Sequence, residues 1–209
     1  MIASAAPLVF VVDDDAPVRR SLARLVKAAG YEVELFKSVR DFLARPPCDG
    51  PCCLVLDVRM PSLTGLDLQE MLGATGQRLS IVFITGHADV RASVRAMKGG
   101  AVDFLLKPLN EGTLLAAIRQ AVARTIEERR EQARVTEVRS RLTTLTPREA
   151  EVFALVVTGM LNKQIGHELG IAEKTVKVHR ARVMDKMRAS SLAELVRLAG
   201  AGGVIAAEP

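Results

Sequence analysis

Aromatic side chains are scarce in this sequence, which has no Trp, one Tyr and six Phe in 209 residues. Any core must therefore be built mainly from aliphatic residues and Met. The sequence can supply it, because hydrophobic residues make up 49% of the chain. A chain of this length is longer than one typical domain and shorter than three.

Cysteine is also scarce, and its three copies, Cys48, Cys52 and Cys53, are an odd number that argues against a secreted disulfide scaffold. They lie close together, but neither a His nor a further Cys is near enough in sequence to complete a zinc site. We interpret them as ordinary thiols, with one or both of Cys52 and Cys53 in a buried strand. A redox role has no support in the sequence.

Long apolar runs and a secretory leader are absent as well. No run approaches the ~18 residues that a membrane-spanning helix needs. The first apolar stretch lacks a basic leader and continues directly into Asp13-Asp14-Asp15. These absences predict a cytoplasmic protein with no membrane partner.

Short apolar runs alternate with helical patterns through the first part of the chain. Apolar residues at three- and four-residue steps between the runs predict helices. Continuous apolar strands are typical of parallel sheets that are covered on both faces. This region is therefore predicted to be an α/β domain with a doubly wound, five-stranded parallel sheet. The predicted strands are 8–12, 32–35, 52–56, 81–84 and 102–105.

The rest of the chain is predicted to be helical. Residues 125–142 contain neither Gly nor Pro and alternate in charge sign, which indicates a linker helix that continues the preceding one. Thr146 and Glu149 form a capping box, with Pro147 at the first helical position. The helix that starts there should end at Gly159. Three more helices are predicted over 162–169, 173–187 and 192–198. Together they predict an all-α four-helix domain whose second and third helices have the layout of a helix-turn-helix.

Acidic residues follow two of the predicted strands, with Asp13 and Asp14 after the first and Asp57 after the third. Sites in such sheets form at the carboxyl ends of the strands. Neighbouring carboxylates repel one another unless a cation neutralises them, and oxygen ligands suit Mg²⁺, for which Mn²⁺ could substitute. An Asp carboxylate can accept a phosphoryl group, to which Thr85 could donate a hydrogen bond and Lys107 a positive charge. The alternative is a cluster of acids that caps a helix.

Basic residues concentrate in one helix-length segment. Residues 174–188 carry six Lys or Arg against one acid, a net charge of +5. On a helical wheel Val176, Val183 and Met187 share the side that would face the bundle. A basic opposite side suits the major groove of DNA, although a solvated helix face is the alternative. Lys163, at the start of the preceding helix, could contact phosphate.

Four motifs in order, VVDDDAPVR, LVLDVRMP, FITGH and FLLKP, resemble the receiver domain of bacterial two-component response regulators over residues 7–123. The resemblance implies a flavodoxin-like fold and phosphorylation of Asp57 by a sensor histidine kinase. It also implies a Mg²⁺ site made by Asp13, Asp14, Asp57 and the backbone carbonyl of Arg59.

The same resemblance implies further roles near the fifth strand. Thr85 and Lys107 would contact the phosphoryl group, and Phe104 would be the aromatic switch residue that turns inward when Thr85 moves. The Lys107–Pro108 peptide would be cis. Gly86 is smaller than the residue expected beside the phosphoryl group, which bears on the lifetime of the phosphorylated state.

The segment from LTPREAEV to VHRARVMDKM resembles a LuxR-type helix-turn-helix, over residues 142–205, with 124–141 as the linker helix. The whole chain resembles the FixJ/NarL class, closer to its FixJ-like branch. This resemblance implies a homodimer that binds double-stranded promoter DNA when phosphorylated, activation of transcription, and RNA polymerase as a further partner. By the motif, the DNA-facing residues are Lys174, Thr175, Lys177, Val178 and Arg182.

Two other function classes compete with this interpretation. A metal-dependent phosphatase or hydrolase could also use a strand-end Asp and Lys, but such enzymes commonly have an acid where this chain has Arg59. They would also leave the C-terminal helices unexplained. A receiver that acts only as a protein-interaction module would leave the basic helix unexplained. We therefore expect a DNA-binding response regulator whose only chemistry is self-phosphorylation at Asp57 and its reversal.

Overall fold

The computed structural model describes residues 6–48, 50–75 and 79–203. The chain divides between Glu128 and Arg129 into two compact units. Each unit has its own hydrophobic core. Among the described residues, none of the helices combines the length and the apolar character that crossing a membrane requires.

The first unit is built on a five-stranded parallel sheet of order β2-β1-β3-β4-β5. Chain order and sheet order diverge between β1 and β3, and sites form beside such a switch point. The strands are β1 (Leu8–Val12), β2 (Glu32–Phe36), β3 (Cys52–Asp57), β4 (Ser80–Thr85) and β5 (Asp103–Leu106). The helices are α1 (Ala16–Ala28), α2 (Val39–Leu43), α3 (Gly65–Ala74), α4 (Val90–Lys98) and α5 (Glu111–Leu142).

Apolar clusters cover both faces of the sheet, and β3 contributes to both of them. Cys52, Leu54 and Leu56 enter one cluster, whereas Cys53 and Val55 enter the other. Every residue of β3 is buried, so the predicted doubly covered sheet is confirmed. Both cysteines lie in this strand, as interpreted from the sequence. Burial raises the pKa of the Cys53 thiol to about 12, which keeps it protonated and unreactive.

The sequence pattern does not predict the short helix α2. Five residues make little more than one turn, which is too short for an apolar period to appear. The Ser38 side chain caps this helix by accepting a hydrogen bond from the Asp41 amide, 3.1 Å away. Val39 and Phe42 anchor it in the core.

Helix α5 is one continuous helix of 32 residues, as the lack of Gly and Pro over 125–142 predicts. Ile126 packs on the core of the first unit, and Val138 is buried in the core of the second. Helices α6 (Pro147–Val157), α7 (Asn162–Leu169), α8 (Glu173–Met187) and α9 (Leu192–Gly202) follow.

The four C-terminal helices begin close to the predicted positions. The capping box of α6 is present, since Thr146 accepts from the Glu149 amide and Glu149 accepts from the Thr146 amide. Gly170 ends α7 in the left-handed conformation, with φ 65°. Helix α9 continues past the predicted end at Leu198. The last two residues of the range 142–205 lie outside the described residues.

Candidate functional site

Three carboxylates converge at the ends of β1 and β3. Asp13 is fully buried, Asp57 is 6% exposed, and Asp14 is exposed. A carboxylate oxygen from each lies within 4.8 Å of the others. An all-oxygen set at this spacing fits a hard divalent cation, so the cluster could hold one.

The third acid of the run has a different position. Asp15 caps α1, because its side chain accepts a hydrogen bond from the Val18 amide at 3.1 Å. Its own amide donates to the Asp13 carboxylate at 2.8 Å. The guanidinium of Arg19 donates to the Asp13 carbonyl oxygen, a contact that sequence reasoning missed. The helix-capping alternative therefore applies to Asp15.

Lys107 joins two of the three acids. Its Nζ lies 2.7 Å from an oxygen of Asp13 and 2.7 Å from an oxygen of Asp57. Burial of the ammonium favours its neutral form, but the hydrogen bonds to both carboxylates outweigh that effect and raise the pKa of Lys107. Burial also raises the pKa of Asp13, against the opposite effect of its bond to Lys107. Lys107 thus neutralises part of the charge that three adjacent acids create.

The backbone after β3 turns close to the cluster. The amide of Arg59 donates to the Asp57 carboxylate at 3.1 Å, and the amide of Val58 donates to the Ile84 carbonyl at 3.0 Å. The Arg59 backbone therefore lies beside the acids, and its contact there is through the amide. One oxygen of Asp57 bonds to this amide and the other to Lys107, so the carboxylate is held in one orientation.

Thr85 and Phe104 lie on the neighbouring strands. Thr85 ends β4 with 1% of its surface exposed, and its hydroxyl oxygen accepts from the His87 amide at 3.3 Å. Phe104 is half-buried in β5, with its ring centroid 6.2 Å from that of Phe83. The Lys107–Pro108 peptide is cis, as the resemblance implies.

Gly65, the first residue of α3, is a further site residue that sequence reasoning missed. Its amide donates to the Val58 carbonyl at 3.0 Å. A Cβ at this position would lie 2.3 Å from the Asp57 carbonyl oxygen and 3.0 Å from the Leu56 side chain. Only glycine allows the helix to begin against the end of β3. The capping pair Thr64 and Asp67 beside it was the available signal.

Helix α8 presents two distinct faces in the second unit. Val176, Val183 and Met187 are fully buried, so the predicted core face is confirmed. The residues predicted to meet DNA are all exposed: Lys163, Lys174, Thr175, Lys177, Val178 and Arg182. A basic face of this kind can neutralise phosphates.

Contacts with α6 and α7 fix the position of α8. The Lys186 ammonium lies 2.6 Å from the Glu149 carboxylate, and the Arg180 guanidinium donates to the Asn162 side chain at 3.1 Å. The hydrogen bond from Lys186, helped by the Thr146 amide, lowers the pKa of Glu149 to about 2. Sequence reasoning used Glu149 only as a helix cap and missed this ion pair.

The last turns of α5 also contact α8. Val138 is 2% exposed in the core of the second unit. The Arg141 guanidinium donates to the Met187 carbonyl at 3.1 Å, at the C-terminal end of α8. Cationic side chains are favourable there because helix carbonyls are otherwise unpaired. The end of the linker helix is therefore part of the packing around α8.

Comparisons with known proteins match both units. Residues 9–119 match the response regulator receiver domain, and residues 143–199 match the luxR family of bacterial regulatory proteins. Nodulation protein W of Bradyrhizobium diazoefficiens is 49% identical over 204 residues, covering 98% of this chain and 90% of that protein. Transcriptional regulatory protein FixJ of Azorhizobium caulinodans is 44% identical over 201 residues, covering 96% and 95%. A structure of response regulator StyR is 47% identical with a TM-score of 0.83, covering 93% of this chain and 98% of that one.

Proposed function

Because the chain belongs to the FixJ-like response regulators, which join a receiver domain to a LuxR-type DNA-binding domain, we propose that phosphorylation of Asp57 by a sensor histidine kinase switches its binding to promoter DNA. The observation that carries this proposal is the acid cluster. The Lys107 ammonium lies 2.7 Å from a carboxylate oxygen of both Asp13 and Asp57. A carboxylate oxygen of Asp14 lies within 4.8 Å of those of the other two acids.

In the proposed reaction an oxygen of Asp57 attacks the phosphorus of the donor, and the bond to the donor's leaving group breaks. The carboxylates of Asp13, Asp14 and Asp57, with the carbonyl of Arg59, would hold Mg²⁺ or Mn²⁺, which supplies charge stabilisation for the transferred group. Asp57 is already oriented, since its two oxygens bond to different partners.

The response to phosphorylation would involve Lys107, which now bonds to Asp13 and Asp57, and two residues on the neighbouring strands. Lys107 would exchange a carboxylate for a phosphoryl oxygen, and the Thr85 hydroxyl would donate to another. Phe104, whose ring already lies 6.2 Å from that of Phe83, would then turn further inward. These side-chain changes would shift the equilibrium between two conformations of the receiver, and its fold would stay the same.

Exposed apolar side chains support the proposal that phosphorylated copies pair. Val90, Val94 and Met97 on α4 are exposed, as is Leu106 on β5. Burying such residues against a second copy would stabilise a homodimer. Lys174, Thr175, Lys177, Val178 and Arg182 would then face the major groove, and Lys163 would contact phosphate. We also propose that the protein activates transcription with RNA polymerase and is cytoplasmic. The proposed domains are the receiver over 7–123, the linker helix over 124–141 and the LuxR-type DNA-binding domain over 142–205.

The site assignment is tested by phosphoryl uptake. Asp57→Asn should abolish uptake from a small phosphodonor such as acetyl phosphate in the presence of Mg²⁺, measured by intact-protein mass spectrometry. Asp15→Asn is the matched control, because Asp15 caps α1, and it should retain uptake. Normal uptake by Asp57→Asn would refute Asp57 as the acceptor.

The coupling to dimerisation and DNA is tested separately. Phe104→Leu should take up the phosphoryl group normally but form fewer dimers in sedimentation experiments. The full chain should bind DNA at low salt and lose affinity as salt rises, because binding releases counterions. No binding at low salt would contradict the DNA proposal.

A further inference from the structure

Helix α8 carries an acid at its first position. Glu173 begins the helix, and the other acid, Asp185, lies near its C-terminal end. In a helix-turn-helix the second helix places its N-terminal residues against the base edges of the major groove. A carboxylate there approaches a surface of phosphates that repels it. Phosphate repulsion would be offset there only if a group of the DNA donated a hydrogen bond to the carboxylate.

Glu173 remains available for such an interaction. Its side chain is 47% exposed, and its carboxylate lies 3.0 Å from the ammonium of Lys177, which is 63% exposed. An exposed pair at this spacing contributes little to helix stability. A favourable interaction with the helix dipole is also small. The pair does hold the carboxylate beside one of the residues proposed to face DNA.

The hydrogen-bonding groups of the bases restrict which base a carboxylate can bind in the major groove. A carboxylate only accepts hydrogen bonds. In the major groove guanine and thymine present acceptors, and adenine places an acceptor beside its amino group. Cytosine presents an amino donor alone. Lys177 has the opposite preference, because its ammonium donates to the O6 and N7 atoms of guanine.

We propose that Glu173 is a specificity-determining residue whose carboxylate accepts a hydrogen bond from a cytosine amino group while Lys177 donates to a guanine nearby. The inference rests on the proposed DNA binding. It adds that the half of the DNA site bound by each copy of the homodimer contains a preferred C·G base pair. Lys177 lies one helical turn further along α8, about 6 Å along the axis. The guanine would therefore belong to a base pair one or two steps away.

The test is selection of binding sites from a random DNA library with the full-length protein, followed by titration of the selected site and its single-base variants. Replacing the C·G pair should weaken binding by the wild-type protein about 5- to 150-fold. Glu173→Ala should reduce this discrimination to within about 3-fold at that base pair, leave the other positions unchanged and tighten binding to unrelated DNA. Glu173→Gln should shift the preference towards A·T, since Gln pairs with adenine.

Asp185→Asn is the matched control, because it removes the same charge from the other end of α8. It should leave every base preference unchanged. If Glu173→Ala keeps the C·G preference, or weakens all sequences equally together with a lower melting temperature, Glu173 only supports the helix and the inference is overturned. If the wild-type protein binds no DNA at low salt, the proposed function fails and the inference fails with it.

Discussion

Gly65 limits how β3, the strand that ends in Asp57, can be supported. The first turn of α3 lies against the carbonyl of Asp57 so closely that a methyl group would overlap that oxygen. The orientation of Asp57 therefore depends on the absence of a Cβ at position 65 as much as on the Lys107 ammonium and the Arg59 amide that bond to its carboxylate.

Gly65→Ala should destabilise the first unit by about 1–3 kcal/mol, because the added Cβ forces α3 and β3 apart. It should also weaken Mg²⁺ binding, since Asp57 moves with its backbone. Urea unfolding followed by circular dichroism, with a metal titration, measures both effects.

Gly73→Ala provides the control in the same helix. A Cβ at Gly73 meets nothing within 4 Å, so this variant should be as stable as the wild type or more stable, by up to about 1 kcal/mol. Wild-type stability of Gly65→Ala would show that the close approach imposes no constraint.

Residues of the acid cluster differ in how far sequence could identify them. Asp13, Asp57 and Lys107 were predictable because parallel strands bring their carboxyl ends to one edge of the sheet. Gly65 and Arg19 were not predictable, because both lie against backbone carbonyl oxygens, those of Asp57 and Asp13. Which oxygen a residue approaches depends on how α1 and α3 pack, and periodicity carries no information on that.

At the scale of elements, prediction succeeded where helix ends carry local signals. Helix α7 matches its predicted range because Gly170 stops it in the left-handed conformation. Helix α9 continues beyond Leu198 because Leu195 and Ala199 are buried in the core. Gly200 lies within this extension. A glycine lowers helix propensity, but it does not end a helix that packing stabilises.

The ion pair between α6 and α8 should make the second unit sensitive to acid. The folded-state pKa of Glu149 is about 2, against an ordinary value of 4.5. A lowered folded-state pKa means that the pair stabilises the fold fully above pH 4.5 and loses this effect as the pH falls towards 2.

Glu149→Gln should therefore lower the urea midpoint of the second unit most above pH 4.5, and the difference from wild type should shrink towards pH 2. Circular dichroism at a series of pH values measures it. Glu151→Gln is the control, because Glu151 pairs with Arg148 at the exposed surface, where an ion pair contributes little. An equal effect of Glu149→Gln at every pH would contradict the ion-pair explanation.

At the scale of the whole molecule, the described residues form separate cores on either side of the Glu128–Arg129 boundary. Chains of more than one domain commonly unfold in more than one transition. A ligand that binds only the folded receiver should raise the stability of that unit alone.

Mg²⁺ at about 100 times its dissociation constant should stabilise the first unit by about 2.7 kcal/mol and leave the second unit unchanged. Differential scanning calorimetry with Mg²⁺ or with a chelator measures this shift. Asp14→Asn should reduce the shift strongly, because it removes one of the three carboxylates. A Mg²⁺-dependent shift of the second unit, or none of the first, would contradict the acid cluster as the metal site.

The continuity of α5 has a consequence for proteolysis. Arg129, Arg130 and Arg134 are exposed, and each is a target for trypsin. All three lie within a helix, whereas a protease needs an extended segment in its cleft. Cleavage between the two cores must therefore wait for local unwinding of α5, and at low protease concentration its rate reports the population of the unwound helix. The rate at which fragments the size of the two units appear on a gel then becomes a readout of the segment that links the receiver to the DNA-binding domain.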